Sequence, residues 1–257
     1  MRRKDGTRLA PSAAVENFLY DEVRPLIEAM FDTTDRAIRR ERIHAVRQPT
    51  MDTFRRRSRA ITRDFINRVV NHTRLAFKGA TRGFYTRPKD VLTDRRSVQR
   101  VEKCWQSTES MIQDVPKLFF RKLDEAVRRF NDGDMTGNAF DARYVELKRQ
   151  TLVRMRLIAR NENSRATEAL LVSRCSESGL KYVKWCHTDM HEKEPREYHL
   201  RRWDGHTGKR NGKPNGLNGY IFEIGNPPVI DRKTGERGYP AQLINCKCYL
   251  VPVEGYS

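Results

Sequence analysis

A chain of 257 residues with 51 Lys+Arg against 33 Asp+Glu carries a formal net charge of +18. Hydrophobic residues make up 37%, and no run approaches the roughly 18–20 apolar residues of a spanning helix, which argues against an integral membrane protein. Three Trp, eleven Phe and nine Tyr are enough for a packed core and exclude full disorder, while the surplus charge makes a polyanion the expected partner. At the start of the chain, Met1-Arg2-Arg3-Lys4 runs into Asp5-Gly6-Thr7-Arg8 rather than an apolar region, so no export signal is expected. Val15, Leu19, Val23, Leu26 and Met30 then recur at three- and four-residue steps and predict a helix. Pro25 lies inside that pattern and should either kink the helix or open a second one.

A second helix is predicted around Phe54, Ile61, Phe65, Ile66 and Val69, followed by a loop between Gly79 and Pro88. Val115, Phe119, Leu123, Ala126, Val127 and Phe130 make the next amphipathic face, which ends at the turn signal Asn131-Asp132-Gly133. From Asp141 to about Arg174 the periodicity resumes through Leu147, Leu152, Met155, Ala159, Ala166 and Leu170. Past Ser178-Gly179 the texture changes, with short strands expected at 181–185, 220–224 and 248–253. The Gly- and Lys-rich stretch 208–219 between the first two reads as a surface loop. The expected fold class is α+β: a basic, mostly helical region over 1–140, then a small α+β domain with short strands over 141–257. Residues 1–150 hold 33 basic and 21 acidic side chains and the remainder 18 and 12, so the helices carry most of the charge.

Five cysteines, an odd number without an export signal, argue against a disulfide framework and for a reducing compartment. Four of the six histidines fall between His187 and His206, beside Cys186 and upstream of Cys246 and Cys248. Imidazole and thiolate are the ligands Zn²⁺ prefers, which makes Cys186, His199, Cys246 and Cys248 a candidate structural metal set. The alternative is a pair of buried thiols with solvated histidines, and the single residue between Cys246 and Cys248 is tighter than the usual zinc-knuckle gap. His199, Asp204 and the acidic run Glu192, Glu194, Glu197 also admit a metal-dependent nuclease or toxin-like hydrolase. Interleaving with Lys193, Arg196, Arg201 and Arg202 instead reads as a self-neutralised surface. The densest basic patch is Arg55, Arg56, Arg57, Arg59 and Arg63, a candidate nucleic-acid surface spread by helical spacing over several faces. No sequence-reading motif accompanies it, so any DNA binding should be non-specific.

The order of elements in the second half carries a resemblance. A helix bearing Ala159-Arg160-Asn161-Glu162 is followed by Gly179, Trp185, Asp189, Arg196, His199 and Asp204-Gly205, and after a variable loop by Asn226-Pro227-Pro228 and Asn245-Cys246-Lys247-Cys248. This resembles the C-terminal domain of the phage Mu gpF-like head morphogenesis proteins, the minor head proteins of tailed phages, over about residues 150–253. Asn161 stands where that family has Thr, and Lys247 where it has Arg. The resemblance implies a non-enzymatic virion component made in the host cytoplasm and incorporated during procapsid assembly. Its implied partners are portal protein, packaged double-stranded DNA and other head or scaffold proteins, with no membrane. Asp189, Arg196, Asp204, Gly205 and Asn245 then read as structural motif residues, and His199 with Cys246 and Cys248 as a core cluster or zinc staple. A non-specific DNA-binding protein with no virion role is the remaining alternative.

Overall fold

The structure is a computed structural model that describes residues 9–38, 42–84, 92–187, 197–200, 216–243, 246 and 248–255. Its elements in chain order are α1 (Ala13–Ile38), α2 (Ile43–Ala80), α3 (Arg95–Asn131), α4 (Gly137–Glu177), β1 (Tyr182–His187), α5 (Glu197–Leu200), β2 (Ile221–Glu223) and β3 (Cys248–Val253). Long helices followed by a small sheet make the α+β class that the periodicities predict.

The chain divides into two compact units: residues 1–13, 66–104 and 161–257 form one, and residues 14–65 and 105–160 the other. Both are discontinuous, because their boundaries fall inside α2, α3 and α4. The division therefore does not follow the compositional boundary near residue 140. In the second unit, Val15, Leu19, Val23, Ile27 and Met30 line the buried face of α1, so Ile27 takes the place expected for Leu26. Pro25 does not open a second helix. It lies inside one continuous helix with Asp21, whose carbonyl lacks its usual donor, and both residues are exposed where water can serve that carbonyl.

Phe54, Ile61 and Phe65 bury the matching stripe of α2. Across the helices, Phe31 meets Phe119 at 5.5 Å between ring centroids. The Tyr144 hydroxyl donates to Asp35 at 2.6 Å, and Gln113 donates to the Ser58 hydroxyl at 3.1 Å. Phe130 departs from expectation: it is exposed at the fraying end of α3, resting on Phe140 with 5.5 Å between ring centres. The turn after it uses Gly133 at φ 82°, and Thr136 caps α4 by accepting from the Ala139 N–H.

The first unit is built on the C-terminal half of α4. From Glu162 to Cys175 almost every side chain of this helix is buried, with Ala166, Leu170, Leu171, Val172 and Cys175 among them. The helix closes through Gly179 at φ 73°, where the Leu180 N–H bonds the Cys175 carbonyl at 2.9 Å, a Schellman-type end that turns the chain into β1. Asp94 caps α3 by accepting from the N–H groups of Arg96 and Ser97. Glu177, lowered from the ordinary carboxylate value by hydrogen bonds from Thr93 and Asp94 despite partial burial, ties that start to the end of α4.

The sheet has the order β2-β1-β3 and is antiparallel throughout. In the pairing of β1 with β3, Val183 faces Pro252, Trp185 faces Leu250 and His187 faces Cys248. Strand alternation therefore puts Val183, Trp185, Cys248, Leu250 and Pro252 on one buried face. Trp185 is fully buried and packs into a core with Leu171, Val172, Phe222, Ile230 and Leu250.

Candidate functional site

The start of β3 brings the chemistry together. Cys248 is its first residue and points into the core, Cys246 is buried just before it, and His199 is carried on α5 with 1% exposure. Trp185 closes one side of the imidazole edge-on, with ring centroids 5.3 Å apart, and Tyr198 another at 6.0 Å. The Ile230 carbonyl lies 2.9 Å from His199 Nε2. A carbonyl only accepts, so Nε2 carries the proton and Nδ1 presents its lone pair. That lone pair faces the thiols, with Cys246 Sγ at 3.6 Å and Cys248 Sγ at 4.0 Å.

All three ligand atoms lie within 4.8 Å of one another. Tetrahedral Zn²⁺ with Zn–S near 2.3 Å and Zn–N near 2.0–2.1 Å would separate neighbouring ligand atoms by roughly 3.6 Å. The two Nδ1–Sγ distances, 3.6 and 4.0 Å, are close to that separation. The backbone carbonyl on the far nitrogen is the outer contact that usually orients a ligating histidine. Cys246 is pulled well below the ordinary thiol range chiefly by the hydrogen bond from the Cys248 thiol, against the effect of burial. A thiolate-prone cysteine beside an imidazole nitrogen is a donor set suited to Zn²⁺.

Cys186 does not belong to this set. Its place in β1 opposite Tyr249 puts it on the other face of the sheet from Cys248, partly buried, and that burial raises its thiol pKa. Among the described residues the cluster is therefore His199, Cys246 and Cys248, three ligands rather than four. The narrow Cys-x-Cys gap is accommodated because Cys246 precedes the strand and is not bound by its alternation. Asp189, Arg196, Asp204, Gly205 and Asn245 lie outside the described residues, as do Glu192 and Glu194 of the hydrolytic reading.

Arg55, Arg56, Arg57, Arg59 and Arg63 are all exposed on α2. At 3.6 residues per turn, Arg55, Arg59, Arg63 and Arg56 fall within about 100° of arc, with Arg57 about 100° further round. They thus form more of a single stripe than their scatter in the sequence suggests, opposite the buried Phe54, Ile61 and Phe65. Arg55 pairs with Asp52 at 3.4 Å and Arg63 with Asp64 at 3.1 Å, both at the surface, where such pairs are weak. The remaining three have no ion pair among the described residues.

Sequence reasoning passed over Glu168. It is 2% exposed in the middle of α4, and neither carboxylate oxygen has a hydrogen-bond partner. Burial raises its pKa well above the carboxylate range. The only available signal was its position between Ala166 and Leu170 on a stretch of helix where almost every side chain is buried. With this geometry established, comparison with protein-family models, curated proteins and solved structures finds no match.

Proposed function

We propose that the chain is a minor head protein of a tailed phage of the Mu gpF-like kind, acting without catalysis in procapsid assembly. The observation that carries this reading is convergence: the His and the closing Cys-x-Cys of the resemblance, far apart in sequence, meet in one buried cluster against the Trp of the same motif order. In this reading His199, Cys246 and Cys248 hold a structural Zn²⁺ that ties α5 to the start of β3. The ion supplies cross-linking of two loop-borne segments and no chemistry on a substrate. The exposed arginine stripe of α2 meets packaged double-stranded DNA through its phosphates, without reading sequence. Portal protein and other head or scaffold proteins are the protein partners, first in the host cytoplasm and then in the virion.

Affinity capture with the tagged chain from a lysate containing its cognate portal protein tests the assembly role. Portal should be retained; a lysate in which portal passes entirely unbound contradicts the proposal. The rival hydrolase reading is less well supported, because the imidazole of His199 is buried and its Nε2 already serves Ile230. Incubation with plasmid and Mg²⁺, Mn²⁺ or Zn²⁺ separates the two, since cleavage abolished by His199→Ala would favour the hydrolase. A DNA-binding protein with no virion role is favoured only by the arginine stripe, which both readings accommodate.

A further inference from the structure

A second surface, in the unit of residues 14–65 and 105–160, is distinct from both the metal cluster and the arginine stripe. Two adjoining cavities of about 270 and 500 Å³ share Leu118 and Arg154 and form one open groove along α3 and α4, with Arg47 and Met51 of α2 at one end. Its floor is apolar: Val115, Phe119 and Leu147 lie beneath, while Val153 and Leu157 stay 49% and 36% exposed. Its walls carry Arg47, Lys117, Arg121, Lys122, Arg149 and Arg154 against a single carboxylate, Asp114. Arg47, Lys117 and Arg149 are engaged by Asp124, Asp114 and Glu146. Arg121 and Arg154 have no such partner among the described residues.

We propose that this groove is a docking site for an acidic amphipathic helix of another protein. Phosphates need cations but no apolar floor, so exposed Val153 and Leu157 at its base speak against nucleic acid as the occupant. A second copy of the chain would set one cationic wall against another, which like-charge repulsion disfavours. A helix with a leucine-type stripe and flanking Asp or Glu satisfies both features at once, since apolar anchors fill the floor and carboxylates meet the walls. The floor residues on α4 run from Leu147 to Leu157, about 15 Å at 1.5 Å per residue, which matches roughly three turns of a partner helix. The inference stands on these residues alone and does not depend on the head-protein reading.

Fluorescence anisotropy of the full chain tests it with two labelled peptides of about fourteen residues and identical Leu/Glu-rich composition. One places its leucines at i, i+3, i+4 and i+7, and the other scatters them. The striped peptide should bind at least about tenfold more tightly than the scattered one. Arg121→Glu with Arg154→Glu, and separately Val153→Ser with Leu157→Ser, should each weaken it about tenfold or more; all four sites are exposed, so the fold is preserved. Arg56→Glu with Arg59→Glu should leave it unchanged. Equal binding of the two peptides, no binding of either, or indifference to the Val153/Leu157 change overturns the proposal. So does duplex DNA whose binding falls with Val153→Ser and Leu157→Ser as the peptide's does.

Discussion

The imidazole of His199 has its orientation set on both sides, by a backbone carbonyl at Nε2 and by two thiols at Nδ1. If those thiols hold Zn²⁺, purified protein dialysed against buffer retains close to one Zn per chain by elemental analysis, and Cys248→Ser loses it. A ratio near zero instead leaves a buried thiol–imidazole cluster. In either state, His199→Ala removes a buried aromatic ring beside Trp185 and should cost about 3–5 kcal/mol in denaturant unfolding. Glu168 gives a prediction whose sign follows from linkage. Its pKa is raised in the folded state, so the native protein holds a proton that the unfolded chain releases above about pH 4.3. Its favourable share is complete below that pH and is lost as pH climbs toward the folded value. Glu168→Gln should therefore raise Tm at pH 7–8 and change it little near pH 4. A lower Tm at pH 8 would mean that the carboxylate is stabilised by a partner.

Helices α1 and α2 were legible because Val15, Leu19, Val23 and Met30, like Ile61, Phe65 and Val69, repeat at the helical period against exposed charges. The three strands were legible too, since short apolar alternation between Gly-rich stretches leaves few other readings. The helical course of α4 was legible through Ala159, Ala166 and Leu170, but the burial of its second half was not. Glu162, Asn163, Ser164, Thr167, Glu168, Ser173 and Arg174 look like a solvated surface, yet all are buried. A helical period marks a helix with one wet face, and these polar residues hide the near-complete burial of residues 162–175. Cys186 was misplaced for a related reason: its proximity to His187 in sequence suggested a ligand, and strand alternation turned it to the opposite face. Pro25 offers a direct test at the level of a single helix. Because α1 is continuous and Pro25 is exposed, Pro25→Ala restores a donor to the Asp21 carbonyl and should stabilise the protein by about 1–3 kcal/mol in thermal unfolding. Destabilisation would show that the proline has a packing role.

Net charge alone suggested nothing narrower than a polyanion partner. Part of that surplus lies in an exposed arginine stripe on α2 and part in a separate basic groove with an apolar floor. If the stripe meets DNA, changing Arg55, Arg56, Arg59 and Arg63 to Gln should lower the log–log salt slope of duplex binding by about 0.9 for each arginine in phosphate contact. An unchanged slope would place the contact elsewhere. Discontinuous units also explain why no composition boundary revealed them, since α2, α3 and α4 each contribute to both. The most direct test of the head-protein account is quantitative mass spectrometry of purified procapsids and virions, with portal as internal reference. The account predicts this chain in both particles, in low copy number comparable to portal. Its absence from both, while portal and major capsid protein are present, would contradict it.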